Sequence, residues 1–263
     1  MKRMIRSLLR PLGIDVVRYV PVVVAKTTRT SALSYFETAT GNYFLPRDAH
    51  GDDIARAIKA GGVFDEEIVD VARKYVKPGT AVLDVGANFG QMSILFSNML
   101  GDGGKVYSFD ADDFVFDILT KNIAANAKHG RVVPIFGAVH SVPSRTLYFP
   151  EQDFVRFQTY GSYGIDYGGS TGRPVPSITI DSLDIAEPIT FMKVDVQGGD
   201  LHAMRGAVQT IAKHQMPIVF EYEHQFEADY KLSFQEYVDF VGAIGYRFHS
   251  VINGYNYLIL PRH

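Results

Sequence analysis

The sequence predicts an α/β fold. It is a doubly wound, Rossmann-like sheet of seven mostly parallel strands, with an antiparallel terminal hairpin and an N-terminal helical extension. Three observations carry this. Short apolar runs ending near a carboxylate recur at 81–85, 105–110, 190–195 and 217–222. Each reads as a buried parallel strand whose last side chains emerge at the sheet edge. Stretches with apolar residues at helical spacing lie between them. The chain closes on two strand-like runs around Asn253-Gly254, a hairpin signal.

At 263 residues the chain is one large domain, or a core domain with an extension. We divide it into a cap at 1–62 and a main domain at 63–263, with a loop insertion at about 150–176. The apolar fraction, 46%, is ample for a core, and a formal charge of -3 gives no global field for nucleic acid. There is no cysteine, so disulfides, thiolate metal sites and cysteine nucleophiles are excluded. That composition fits a reducing, cytoplasmic setting.

The start is basic and amphipathic, with Lys2, Arg3, Arg6 and Arg10 among apolar residues. Arg6, Arg10, Pro11 and Asp15 interrupt what a signal peptide would need unbroken. The apolar run 20–25 is too short to span a membrane. This start reads as a short helix packed on the domain or on a second copy, or as a weak contact with an anionic membrane surface.

From there to about residue 60 the chain reads as an irregular cap, with a short strand at 43–46 and a helix at 52–60 closed by Gly61-Gly62. Residues 65–76 have helical spacing, acids in the first turn and Lys77-Pro78-Gly79 as a stop. Strand 81–85 leads into Gly86, Asn88 and Gly90 and a helix from Gln91. Strand 105–110, helix 112–127 and strand 132–136 follow, with a shorter strand at 145–149. Residues 158–176 are rich in Tyr, Gly and Ser without period, as in a lid or binding loop. Strand 190–195, helix 201–212, strand 217–222 and helix 234–244 then precede the hairpin.

A strand, a Gly-rich turn and a helix frame a nucleotide site, because glycines let a ligand lie on bare backbone and the helix start offers free N–H groups. Asn88 stands where many such loops carry a third Gly, and Asn tolerates positive φ. Asp110 follows Gly90 by about twenty residues, where a ribose-binding acid is expected. NAD and S-adenosylmethionine both carry that ribose. A dinucleotide fingerprint would have Gly where Ser93 stands, and Asp84 would repel a diphosphate but suit a cationic amino-acid group. No Walker-type lysine follows the turn.

The runs Asp-Val-Gly-Ala-Asn-Phe-Gly-Gln-Met-Ser from 84, Val-Tyr-Ser-Phe-Asp from 106, Ile-Thr-Ile-Asp-Ser-Leu from 178 and Phe-Met-Lys-Val-Asp-Val-Gln-Gly-Gly-Asp from 191 resemble the FkbM family of S-adenosylmethionine-dependent methyltransferases. The resemblance covers about 63–260. It implies O-methylation, mostly of sugar hydroxyls in glycans, or of natural-product hydroxyls. The family usually has Glu where Gln197 and Asp200 stand, and Pro where Ala111 stands.

On this reading Asp84 serves the methionine amine side, Asp110 the ribose, Gly86, Asn88 and Gly90 shape the turn, and Ser93 is counted with them among the cofactor-binding residues. Phe136-Gly137-Ala138-Val139 passes the adenine, with Ala138 in contact. Asp195 is the first candidate for the base that accepts the acceptor's proton, with Glu221 and His224 as alternatives or co-workers. A structural ion pair of Asp195 with Lys193, two residues earlier on the same face, is the bland alternative. Asp195 with Glu221 could also orient a diol through a divalent cation, though no dense carboxylate motif supports a metal site. Tyr160, Tyr163 and Tyr167, with Gln197, would line an acceptor subsite, or the tyrosines are packing aromatics. Partners are then a small-molecule or glycan acceptor and, as an open alternative, a second copy, without nucleic acid. A non-catalytic cofactor-binding scaffold and, more remotely, a nicotinamide oxidoreductase are the competing readings.

Overall fold

A computed structural model describes residues 32–127, 130–151, 159–167, 169 and 171–262. The expected N-terminal helix and the run at 20–25 lie outside the described residues.

The cap is more regular than expected. Leu33–Thr38 (β1) and Gly41–Pro46 (β2) form an antiparallel hairpin, followed by helices α1 (Asp53–Lys59) and α2 (Glu66–Tyr75). The hairpin is fastened to the main sheet's helical layer by two asparagines. Asn122 Oδ1 accepts the Phe44 N–H at 2.6 Å, and Asn126 Oδ1 accepts the Asn42 N–H at 2.7 Å. A buried amide in a helix is tolerated here because it satisfies a strand edge. Both asparagines belong to α4 (Asp113–Asn126).

The main sheet has strands β3 (Ala81–Val85), β4 (Lys105–Asp110), β5 (Val132–Phe136), β9 (Ile189–Val194), β10 (Ile218–Glu221), β11 (Tyr246–Val251) and β12 (Asn256–Pro261). Their spatial order is β11-β12-β10-β9-β3-β4-β5. β3, β4, β5, β9 and β10 run parallel, while β12 is antiparallel to both its neighbours. The chain winds outward from β3 to β5, then returns to the other side of β3 at β9. That reversal opens a crevice beyond the carboxyl ends of β3 and β9. Side chains alternate between two cores: Leu83 and Val85 pack on one face, Val82 on the other. Helix α3 (Gln91–Met99) follows β3.

The segment from 138 to 178, which holds the insertion, forms a small sheet of its own. β6 (Ala138–Val139), β7 (Thr146–Phe149) and β8 (Arg173–Ile178) form a separate three-stranded sheet. The strand expected at 145–149 therefore lies off the main sheet. The single helix expected at 201–212 is two, α5 (Asp200–Arg205) and α6 (Val208–His214). Gly206 interrupts them because it passes the backbone of His140: a Cβ there would lie 2.1 Å from the His140 carbonyl oxygen. Asp181 then accepts the N–H groups of Gln209 and Thr210 in the first turn of α6. A short turn at His224–Phe226, α7 (Glu227–Tyr230) and α8 (Phe234–Ala243) complete the helices. Among the described residues no helix is long and apolar enough to cross a membrane.

Candidate active site

A cleft open to solvent sits over the ends of β3, β4 and β9. Its floor is Val85, Gly86, Asn88, Asp110 and Ala138, one flank is Asp195 and Gln197, and Tyr160, Tyr163, Tyr167 and Ile54 face them.

The turn after β3 is built by close approach. Gly86 has φ +82°, and a Cβ on it would come within 1.7 Å of the Asp195 carbonyl oxygen. Asn88 adopts φ +48°. Its N–H donates to Asp110 Oδ2 at 2.9 Å, and the Asp112 N–H donates to Asp110 Oδ1 at 2.9 Å. Each carboxylate oxygen has a second lone pair, so Asp110 retains acceptor capacity toward the cleft. Burial and the charge of Asp112 raise its pKa to about 7, against those two backbone donors.

Asp84 and Ser93 are corrected. Both are completely buried behind the cleft wall, between β3 and α3. Ser93 Oγ donates to Asp84 Oδ2 and lies 2.7 Å from Ser108 Oγ. Asp84 stands between Leu83 and Val85 on the strand, so it points away from the face that Val85 presents to the cleft. Burial pushes the Asp84 carboxyl up, while Lys193 and Ser93 draw it back. Gly90 is also outside the wall; a Cβ there would meet Leu119 Cδ1 at 2.6 Å, so this glycine serves helix packing.

Lys193 is the hub that joins these parts. Its Nζ lies 3.2 Å from Asp195 Oδ2 and 3.8 Å from Asp84 Oδ1, and donates to the Gly86 carbonyl at 2.7 Å. Burial alone would lower its pKa, but Asp195 and Asp84 reverse that and hold it well above the ordinary value. The ion pair with Asp195 and a place for Asp195 on the cleft wall thus coexist.

Glu221 is buried and joined to the cleft wall by Gln197. Gln197 Nε2 donates to Asp195 Oδ1 at 3.1 Å and to Glu221 Oε2 at 2.9 Å. His224 is corrected: its side chain is 83% exposed and pairs with Glu227 at 3.2 Å, away from the cleft. Of the tyrosines, Tyr160 is packed between Phe89 and Phe114 with its hydroxyl on Asp48, so its ring serves the core. Tyr167 packs at a tilt against His140 and His202, at 5.2 and 4.8 Å between centroids. Burial lowers the His202 pKa to about 4.

Several wall residues were not singled out from the sequence. Ile54 comes from the cap, and nothing local marks it. Asp112 caps α4 through the N–H groups of Phe114 and Val115 and is held by Arg173 at 3.0 Å; an Asp one residue before a helix was the available signal. Among the described residues, no three His, Asp or Glu side chains converge as a metal site.

A parallel sheet with a Gly-bearing turn after its first strand, an acid ending the second and a carboxylate beside the turn is the frame of a nucleotide site of the Rossmann-like class. The family model described as Methyltransferase FkbM domain matches residues 84–248, more than half of the chain. The chain belongs to this family of S-adenosylmethionine-dependent methyltransferases. Among solved structures it is similar to a methyltransferase FkbM from Methylobacillus flagellatus KT, at 14% identity and a TM-score of 0.45, over 73% of this chain and 49% of that one. This chain therefore spans about half the length of that relative. A putative O-methyltransferase from Klebsiella pneumoniae matches at 13% identity and a TM-score of 0.47, over 82% and 89% of the two chains. A TehB-like SAM-dependent methyltransferase from Corynebacterium glutamicum matches at 14% and 0.44, over 82% and 99%. No curated protein matches.

Proposed function

We propose that the protein methylates a hydroxyl of a sugar, in a glycan or a glycosylated natural product, using S-adenosylmethionine. One observation carries the reading: Asp110 and Asp195 wall the same cleft from opposite sides of Gly86. The residues suit this cofactor. Gly86 and Asn88 offer bare backbone, and Asp110 can accept the ribose hydroxyls. No Cβ obstructs the approach at 86, and Ala138 leaves an apolar edge for a base.

When bound, the cofactor supplies a methyl on a positively charged sulfur, which keeps the carbon–sulfur electron pair as an acceptor oxygen bonds to the carbon. Asp195 is placed to take the hydroxyl proton. Lys193, 3.2 Å from that carboxylate, orients it. Tyr163 and Tyr167 present aromatic faces to sugar C–H groups and hydroxyls to sugar O–H groups.

The test is calorimetric titration with S-adenosylhomocysteine, with NAD in a parallel cell, followed by labelled-methyl transfer to a panel of glycans. Micromolar binding of S-adenosylhomocysteine alone, with label in a sugar ether, is the expected result. Binding of NAD alone overturns the cofactor. Binding without transfer to any acceptor favours a scaffold.

A further inference from the structure

Gln197 Nε2 donates to a carboxyl oxygen of both Asp195, at 3.1 Å, and Glu221, at 2.9 Å, so the two carboxyls crowd one amide nitrogen. Two carboxylates sharing a site repel each other, and one neutral carboxyl relieves that repulsion. We propose that Asp195 and Glu221 hold one proton between them, that Glu221 carries it, and that Gln197 is the positioning residue that clamps the pair. The purpose assigned to the pair, receiving the acceptor's proton, rests on the methyltransferase reading; the shared proton does not.

The surroundings decide which partner is protonated. Lys193 stands 3.2 Å from Asp195, whereas among the described residues no cation stands within ion-pair distance of Glu221. The groups facing Glu221 are otherwise acidic or neutral. Asp200 on α5 accepts the Glu221 N–H at 3.4 Å, Glu223 follows β10, and Tyr255 lies in the hairpin loop. Glu221 is 8% exposed. Burial first, then the charges of Asp195 and Asp200, push it up to about 11, in keeping with a neutral acid at this position. Gln197 reaches both carboxyls from a left-handed conformation, φ +52°, which costs a non-glycine residue ~1 kcal/mol or more. The following Gly198 is closed in by Tyr230 and Phe226, so the turn holds that geometry.

The amide matters because it brings two N–H donors and no charge. A Glu at 197 would put a third carboxyl between the other two. With Gln, the pair carries a single negative charge matched by Lys193. When the acceptor's O–H bond breaks, its electron pair stays with oxygen and its proton goes to Asp195. The pair is then neutral and releases one proton to solvent at the exposed edge of Asp195.

Infrared difference spectra of the ligand-free full chain at about pH 9 test this, above Asp110, raised to about 7, and Asp200, which burial raises to about 8. A protonated-carboxyl carbonyl band is expected in the native protein and is lost in Glu221→Gln. In Gln197→Leu the band persists but moves to higher frequency, since the carbonyl has lost its donor. Absence of the band, or its loss in Asp195→Asn but not in Glu221→Gln, overturns the proton's assignment. An unmoved band in Gln197→Leu overturns the clamp. Melting temperatures show whether each variant folds. S-adenosylhomocysteine titration of the same samples tests the methyltransferase reading separately.

Discussion

The ammonium of Lys193 stands 3.2 Å from Oδ2 of Asp195, linking a cation buried in the sheet to a carboxylate on the cleft wall. The same Nζ donates to the carbonyl of Gly86 and faces Asp84. One side chain thereby ties the tip of β3, the turn after it and the tip of β9, the three parts that meet at the reversal of strand order.

Replacing Lys193 with Met should therefore be severe. It would leave Asp84, 0% exposed, without its cation, and removing one member of a buried ion pair costs about 3–5 kcal/mol. Urea unfolding is the measurement. Adding Asp84→Asn to Lys193→Met should recover part of the loss, because no buried charge then remains; a double variant no more stable than the single would disprove this account of Lys193.

Asp110→Ala should weaken S-adenosylhomocysteine binding by about 1–3 kcal/mol through lost charge-assisted hydrogen bonds. The native carboxyl, raised to about 7, also predicts a pH dependence. The ionised form accepts two hydroxyls better than the acid, so affinity should fall as pH drops through about 7 and level off above it. For stability the sign is opposite. The folded state holds a proton that the unfolded chain, with an ordinary carboxylate, releases, so ligand-free stability from this group falls as pH rises from about 4 to 7. Calorimetry at several pH values on native protein and Asp110→Asn separates the two; a flat affinity profile in the native protein would remove Asp110 from the ribose site.

The main sheet was legible in the sequence because each buried parallel strand is a short apolar run with an acid near its tip, and the tips at Asp110, Asp195 and Glu221 do gather. What failed to show was direction and distance. Asp84 reads as one more strand-tip acid, but the alternation of the strand turns it toward Ser93 and away from the cleft. His224 follows an acid-tipped strand, yet the chain leaves the sheet there in a turn that faces solvent. The hairpin at 33–46 is stabilised by side-chain amides of Asn122 and Asn126, 78 and 84 residues from the groups they bind, and no local pattern encodes such a partner. The break at Gly206 likewise depends on His140, which follows β6 and is 66 residues away in the chain.

Gly86→Ala tests how tightly the two strand tips meet. The added methyl would lie 1.7 Å from the Asp195 carbonyl oxygen, on a residue with φ +82°. Backbone strain alone costs about 1–3 kcal/mol, and the tips must also part. The expected outcome is a lower melting temperature together with loss of S-adenosylhomocysteine binding; binding at native affinity would show that the turn yields without disturbing the site.

Asp52 holds the cap to the loop that walls the cleft beside it. Its Oδ1 accepts the Ala55 N–H at 2.8 Å and caps α1, while Oδ2 accepts the Tyr160 N–H at 2.7 Å. The carboxylate is 1% exposed. Ile54 beside it lies where a Cβ on Gly161 would come within 3.1 Å of Cδ1, so the same few residues fasten the loop and wall the cleft. Asp52→Ala removes the cap, about 1 kcal/mol, and strands the buried Tyr160 N–H, a further ~1–3 kcal/mol. Asp52→Asn keeps one acceptor oxygen for the cap and turns an N–H2 toward Tyr160, so it should lose mainly the loop tie. Limited proteolysis within 159–167 should accelerate in both variants, whereas urea unfolding should separate them by about the worth of the cap. Equal unfolding midpoints with native-like proteolysis would mean that α1 and the loop are held by their apolar contacts alone.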